Sequence, residues 1–139
     1  MSFRRRYPIR FGDIDHAGIA FYPTLMRLCH DAFEDSWAHG MGRHYQEVCD
    51  DEHLGFPAVH IDADFTAPLR FGNDVEIVVT VDRVGTKSVT WRYQFLRQPD
   101  GVAAAELKIT TAAVDLRDFT PMVIPDWCRD LLAKLTVSE

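Results

Sequence analysis

From Tyr22 onward the apolar positions Leu25, Leu28, Cys29, Ala32, Phe33 and Trp37 recur at the i, i+3, i+4, i+7 spacing of one helix face, with Ser36 the only polar intruder. Arg27, Asp31, Glu34 and Asp35 fall on the opposite side. Pro23 suits a first helical turn, where its missing N–H has no partner to lose, and Gly40 and Gly42 stop the helix with His39 in its last turn. The spacing predicts a helix of about five turns. A shorter helical segment is expected over 43–50.

After "LGFP" the period changes to two. Ile61, Ala63, Phe65 and Ala67 alternate with His60, Asp62, Asp64 and Thr66, and Val75, Ile77, Val79 and Val81 alternate with Glu76, Val78, Thr80 and Asp82. In "KSVTWRYQFLR" the apolar Val89, Trp91, Tyr93 and Phe95 share one face, and "QPDG" reads as the turn that follows. A long strand is expected over 102–115 and a closing helix over 126–135, with Pro121 and Pro125 between them. A short strand over 6–11 precedes the long helix. The expected class is α+β: one domain over 1–139, with an antiparallel sheet of four strands in hairpin succession wrapped around one long central helix.

Composition narrows the function. Acidic residues number 21 against 15 basic ones, a net charge of −6, so there is no electrostatic footprint for nucleic acid. Arg4, Arg5 and Arg6 form the one basic cluster and read as solvated charge at a strand end. No apolar run reaches the roughly 18 residues a membrane span needs, and "MSFRRRYPIRF" lacks the apolar stretch of a signal peptide. Cys29, Cys49 and Cys128 are odd in number and widely spaced, which argues for reduced thiols. A cytoplasmic protein with no membrane or nucleic-acid partner is the expectation.

Several chemistries fail on spacing. "DIDHAG" begins like a calcium loop, but its twelfth position is Thr24, where a bidentate Glu is required. Cys49 and His53 have ligand-like spacing without a second pair to complete a zinc site. No serine lies in G-x-S-x-G, Ser2 and Ser138 being terminal, and no glycine-rich phosphate loop is present. What remains is "FGDIDHAGIAFYPTL", which places Asp13 and Asp15 in a loop just before a helix N-terminus. Unpaired N–H groups and the positive end of the helix dipole gather there and stabilise an anion or a growing oxyanion. A carboxylate beside it can attack a carbonyl or deprotonate water. Simple capping by the two aspartates is the competing reading.

The segment "FGDIDHAGIAFYP", the helix after it and "APLRFGNDVEIVVTVDRVGTKSVTWRYQF" resemble the hotdog-fold acyl-CoA thioesterases, specifically the 4-hydroxybenzoyl-CoA thioesterase type. The signature is D-x-D-x-x-G-x-x-x-Y-P at a strand-to-helix junction. The resemblance implies a hotdog fold and hydrolysis of an acyl-CoA thioester to a carboxylic acid and coenzyme A. It implies Asp15 as the catalytic carboxylate, Tyr22 as donor of the N–H that polarises the thioester carbonyl, and Asp13 as structural; Gly18 and Ala17, by their small size, keep side chains out of the way of a substrate and make Gly18 a substrate-binding candidate. Lys87 and Ser88, in "GTKS", fall where family members contact the coenzyme A phosphates. His16 and His30 depart from the hydroxybenzoyl type, which has proline after its aspartate and an acid on the helix, and they are carried as substrate-binding candidates. Phe21, Tyr22, Met26 and Phe56 are bulky enough to close a short acyl pocket. No metal or redox cofactor is implied; a homodimer or homotetramer with the site at a subunit interface is. The rival readings are an enoyl-CoA hydratase on the same fold and a non-catalytic acyl-CoA binding module. A partly apolar outer sheet face, with Val78, Ala104, Ala112 and Val114, is expected to favour self-association.

Overall fold

The computed structural model describes residues 1–137; Ser138 and Glu139, where the expected domain ends, lie outside them. Five strands form the main antiparallel sheet: β1 (Phe3–Pro8), β3 (Ala58–Phe65), β4 (Asp74–Val84), β5 (Ser88–Gln98) and β6 (Ala103–Ala112), in the order β1-β4-β5-β6-β3. A small second sheet joins β2 (Leu54–Gly55), β7 (Val114–Asp115) and β8 (Thr120–Pro121). The helices are α1 (Tyr22–Asp35), α2 (Tyr45–Glu52) and α3 (Asp126–Ala133).

The strand pairing corrects the expected hairpin succession. Within the main sheet only β4, β5 and β6 follow one another as hairpins; β3 crosses to the far side and pairs with β6, from Ala58↔Thr111 to Phe65↔Ala105. The other edge of β4 is taken by β1, from Phe3↔Val79 to Pro8↔Asp74. Alternation of polar and apolar residues identifies a strand and its buried face but carries no information about its neighbour.

The first strand also lies earlier than 6–11. Pro8 has no N–H for the ladder, and beyond it the Arg10 N–H donates to Asp13 Oδ2 at 2.8 Å while the Asp13 N–H donates to the Arg10 carbonyl at 3.0 Å. These bonds fold 11–13 into a 3₁₀ turn. The arginine triplet is therefore inside an edge strand, with Arg4 paired to Glu76 and Arg6 donating to Gln98. Charge on an edge strand discourages unwanted pairing.

The apolar stripe of α1 is buried on the inner face of the sheet. Leu28, Cys29, Ala32 and Phe33 meet Val79, Trp91, Tyr93 and Leu107 in one cluster, and Phe33 stands edge-on to Trp91 with centroids 5.0 Å apart. Each large side chain so buried contributes about 1.5–3 kcal/mol. Ser36, the polar intruder, is fully buried and donates from Oγ to the Phe33 carbonyl at 2.7 Å. The helix then widens into a π-helical turn over Ser36–Met41 before Gly42 ends it. Of the four apolar residues expected on an outer face, Val78, Ala104 and Val114 are at most 5% exposed within a single chain, and Ala112 is half-buried. The free edge strand β3 carries the exposed apolar residues instead, with Val59 at 63% and Phe65 at 53%.

Candidate active site

Between the 3₁₀ turn and α1 the chain makes a tight reversal. The Asp15 N–H donates to the Ile19 carbonyl at 3.0 Å, the Gly18 N–H donates to the Asp15 carbonyl at 2.9 Å, and Ile14 bridges Ala20. Gly18 takes φ +80, which only glycine adopts without strain, and a Cβ there would meet nothing within 4 Å. The turn therefore requires glycine here for its backbone, with open space beside it. The Asp15 carboxylate is fixed from within the turn, because Oδ1 accepts from the Ala17 N–H at 2.8 Å. Its Oδ2 has no hydrogen bond among the described residues.

Asp13 has different work. It is buried, accepts from Arg10 N–H and from Arg27 Nη2 at 2.7 Å, and its carbonyl accepts from Thr24 Oγ1 at 2.7 Å. The bonds from Arg27 and Thr24 tie the loop to the first turns of α1, and the bond from Arg10 closes the 3₁₀ turn itself. Tyr22 opens that helix after the extended Phe21, with Pro23 next, so the Tyr22 N–H is one of the amides for which a helix has no internal acceptor.

Two concavities along α1 bear on the site. A groove of about 480 Å³ is bordered by Phe21, Tyr22 and Leu25 at the helix start and by Phe65, Ala67 and Leu69 at the end of β3. A second cavity of about 460 Å³ lies further along, with Met26, Cys29 and His30 on one wall and Phe56, Ile61 and Tyr93 among those opposite. The four bulky residues expected to close one pocket are thus divided, Phe21 and Tyr22 at the groove, Met26 and Phe56 at the cavity. His30 is exposed at the cavity, its Nε2 2.8 Å from Glu34 Oε1 and its ring stacked on Phe33. His16 is exposed at the tip of the Asp15 turn. Cys29 offers no rival nucleophile: burial pushes its thiol far above the usual range and keeps it protonated.

Lys87 and Ser88 are not brought to Asp15 within one chain. Lys87 lies in the turn between β4 and β5 and Ser88 begins β5, where the Gly85 N–H donates to the Ser88 carbonyl at 2.7 Å. The Asp15 loop adjoins the Asp74 end of β4, where Ile9 and Asn73 are hydrogen-bonded, and β4 separates the two by roughly 30 Å. Cys49 and His53 belong to no group of three or more potential metal ligands among the described residues. No helix among those residues is long and apolar enough to cross a membrane. The residues missed from sequence are Leu116 and Phe119, which border the cavity from the β7–β8 turn; neither has a periodic pattern around it.

A curled antiparallel sheet holding one long helix, with a carboxylate loop at the helix start, is the hotdog fold of thioester hydrolases. The chain belongs to the thioesterase-like superfamily, whose family model matches residues 9–134. It is similar to the 1,4-dihydroxy-2-naphthoyl-CoA hydrolase of Synechococcus sp. strain CC9311, 31% identical over 101 residues that cover 68% of this chain and 66% of that one. The protein of the same name from Nostoc punctiforme is 24% identical over 131 residues, 91% of this chain and 83% of the relative. A solved gentisyl-coenzyme A thioesterase superposes with a TM-score of 0.81 at 27% identity, over 91% of this chain and 99% of that one. Thioester hydrolysis is accordingly the reaction of this enzyme.

Proposed function

We propose that the enzyme hydrolyses coenzyme A thioesters of compact aromatic acids, with Asp15 as the catalytic carboxylate and the Tyr22 N–H as oxyanion donor. The observation that carries this is the Asp15 side chain, held by its own turn with Oδ2 unbonded, on a loop leading straight into an uncapped helix start. The thioester oxygen would point at the Tyr22 N–H, where developing negative charge gains both a donor and the helix dipole; one such donor is commonly worth about 10²–10³ in rate. Asp15 then attacks the carbonyl carbon, or takes a proton from the water that does. The C–S bond breaks, the sulfur leaves and is protonated as free coenzyme A, and the acyl group departs with water's oxygen as a carboxylic acid. Gly18 and the exposed His16 border the approach to that carboxylate.

The site is best completed by a second copy. The edge of β3 is unpaired and carries Val59 and Phe65 into solvent, an arrangement that natural sheets cover. Two copies joined edge to edge about a two-fold axis must run antiparallel. Such pairing sets the Phe65 end of one β3, beside its groove, against the Ala58 end of the other, beside its cavity. The acyl group would extend from Asp15 of one copy into the cavity of the second, toward His30. Homodimers, or pairs of them as a homotetramer, follow from this reading, and Lys87 and Ser88 would reach a coenzyme A phosphate only from another copy. Three free cysteines suit a reducing, cytoplasmic setting.

The aromatic preference is supported by the naphthoyl and gentisyl groups in the relatives' names and by the apolar, aromatic lining of a cavity of about 460 Å³. It favours mono- or bicyclic aryl groups without singling out 4-hydroxybenzoyl. The test is kcat/KM for thiol release from benzoyl, hydroxybenzoyl, naphthoyl, phenylacetyl and palmitoyl thioesters. Aryl thioesters are expected to lead by at least ~10-fold. A palmitoyl optimum would overturn the compact-acid reading, and binding without thiol release would favour the binding module.

A further inference from the structure

Two residues other than glycine adopt left-handed backbone among the described residues, His53 at φ +54 and Phe119 at φ +62. For histidine this is a known minority conformation; for a bulky aromatic it is an outlier that its surroundings must enforce. The enforcement is visible. His53 ends α2 and turns its carbonyl to accept the Leu116 N–H at 2.8 Å, and the Phe119 N–H donates to the Asp115 carbonyl, closing the β7–β8 turn. Leu116 lies so close over Gly55 that a Cβ there would come within 2.5 Å of Leu116 Cδ2. The Asp115 carboxylate adds hydrogen bonds from the Arg117 backbone and guanidinium. The turn is thus held at both ends, and its strained member is 64% exposed, so packing within the chain gains little from the ring.

Yet that ring borders the cavity beside α1, together with Leu116. Strain kept without a folding benefit points to function. We propose that Phe119, seated by Leu116, is a specificity-determining residue that forms the end wall of the acyl cavity and limits the length of aryl group accepted. This rests on the reading above that the acyl group occupies this cavity.

The experiment compares benzoyl-CoA with 2-naphthoyl-CoA in wild type, Phe119→Gly and Phe119→Ala. Both variants open the wall, so the naphthoyl-to-benzoyl ratio of kcat/KM should rise at least ~10-fold in each, the scale of discrimination that an apolar pocket exerts. Glycine also relieves the backbone, so its Tm should stay within about 2 °C of wild type, whereas Ala keeps the left-handed cost. An unchanged ratio in both variants overturns the proposal while leaving hydrolysis by the wild type standing. A change in Phe119→Gly alone overturns it too, since that traces to the backbone and not the ring. If wild type releases thiol from neither substrate, the acyl-cavity reading fails and this wall falls with it.

Discussion

Asp13 and Asp15 are two residues apart and chemically alike, yet their surroundings separate them. Asp13 is buried and spends both oxygens on Arg10 and Arg27, whereas Asp15 is exposed and keeps one oxygen unbonded. Replacing Asp13 with Ala removes the partners of a backbone N–H and a guanidinium, at a cost of about 1–3 kcal/mol. The ion pair's share is small because Arg27 is half exposed. Thermal melting should therefore show a clear drop in Tm for Asp13→Ala; a wild-type Tm would mean that the loop is held by other bonds. The carboxylate pair was legible in the sequence because the loop is contiguous and its residue types are chemically telling. Phe119 was not, because a left-handed dihedral that falls on phenylalanine, unlike one that falls on glycine, leaves no mark on the residue type.

At the scale of elements, α1 was readable because a 3.6-residue period, a proline at one end and glycines at the other agree. The π-helical turn over Ser36–Met41 was not, since buried Ser36 keeps the apolar face intact through it. Strand β1 was displaced in the sequence reading because an edge strand admits three consecutive arginines, which carry no alternation. The pairing of β3 was invisible for a different reason: partners depend on the long crossing after Phe65, not on local pattern. That edge carries the proposed assembly. Light scattering at micromolar concentration should give wild type at least twice the mass of one chain, and Val59→Lys, a charge on an exposed edge position, should shift it toward a monomer with activity falling in parallel. A monomeric wild type with full activity would remove the two-copy site.

In the molecule as a whole, the curled sheet does two things for the chemistry. Its concave face holds α1 rigid through Phe33, Trp91 and their neighbours, which fixes where the helix start points, and its crossing connection leaves β3 free at one edge with a groove at one end and a cavity at the other. On the proposed reading, reaction and acyl choice fall to different parts of the chain, the first to the Asp15 loop and the second to the cavity beside His30, Leu116 and Phe119. The claim on which the rest depends is that hydrolysis runs through Asp15. Asp15→Asn preserves shape and the hydrogen bond from Ala17 while removing the charge. Thiol release from the best aryl thioester should fall at least ~10²-fold, with Tm and assembly unchanged; a variant that turns over at the wild-type rate would contradict the account.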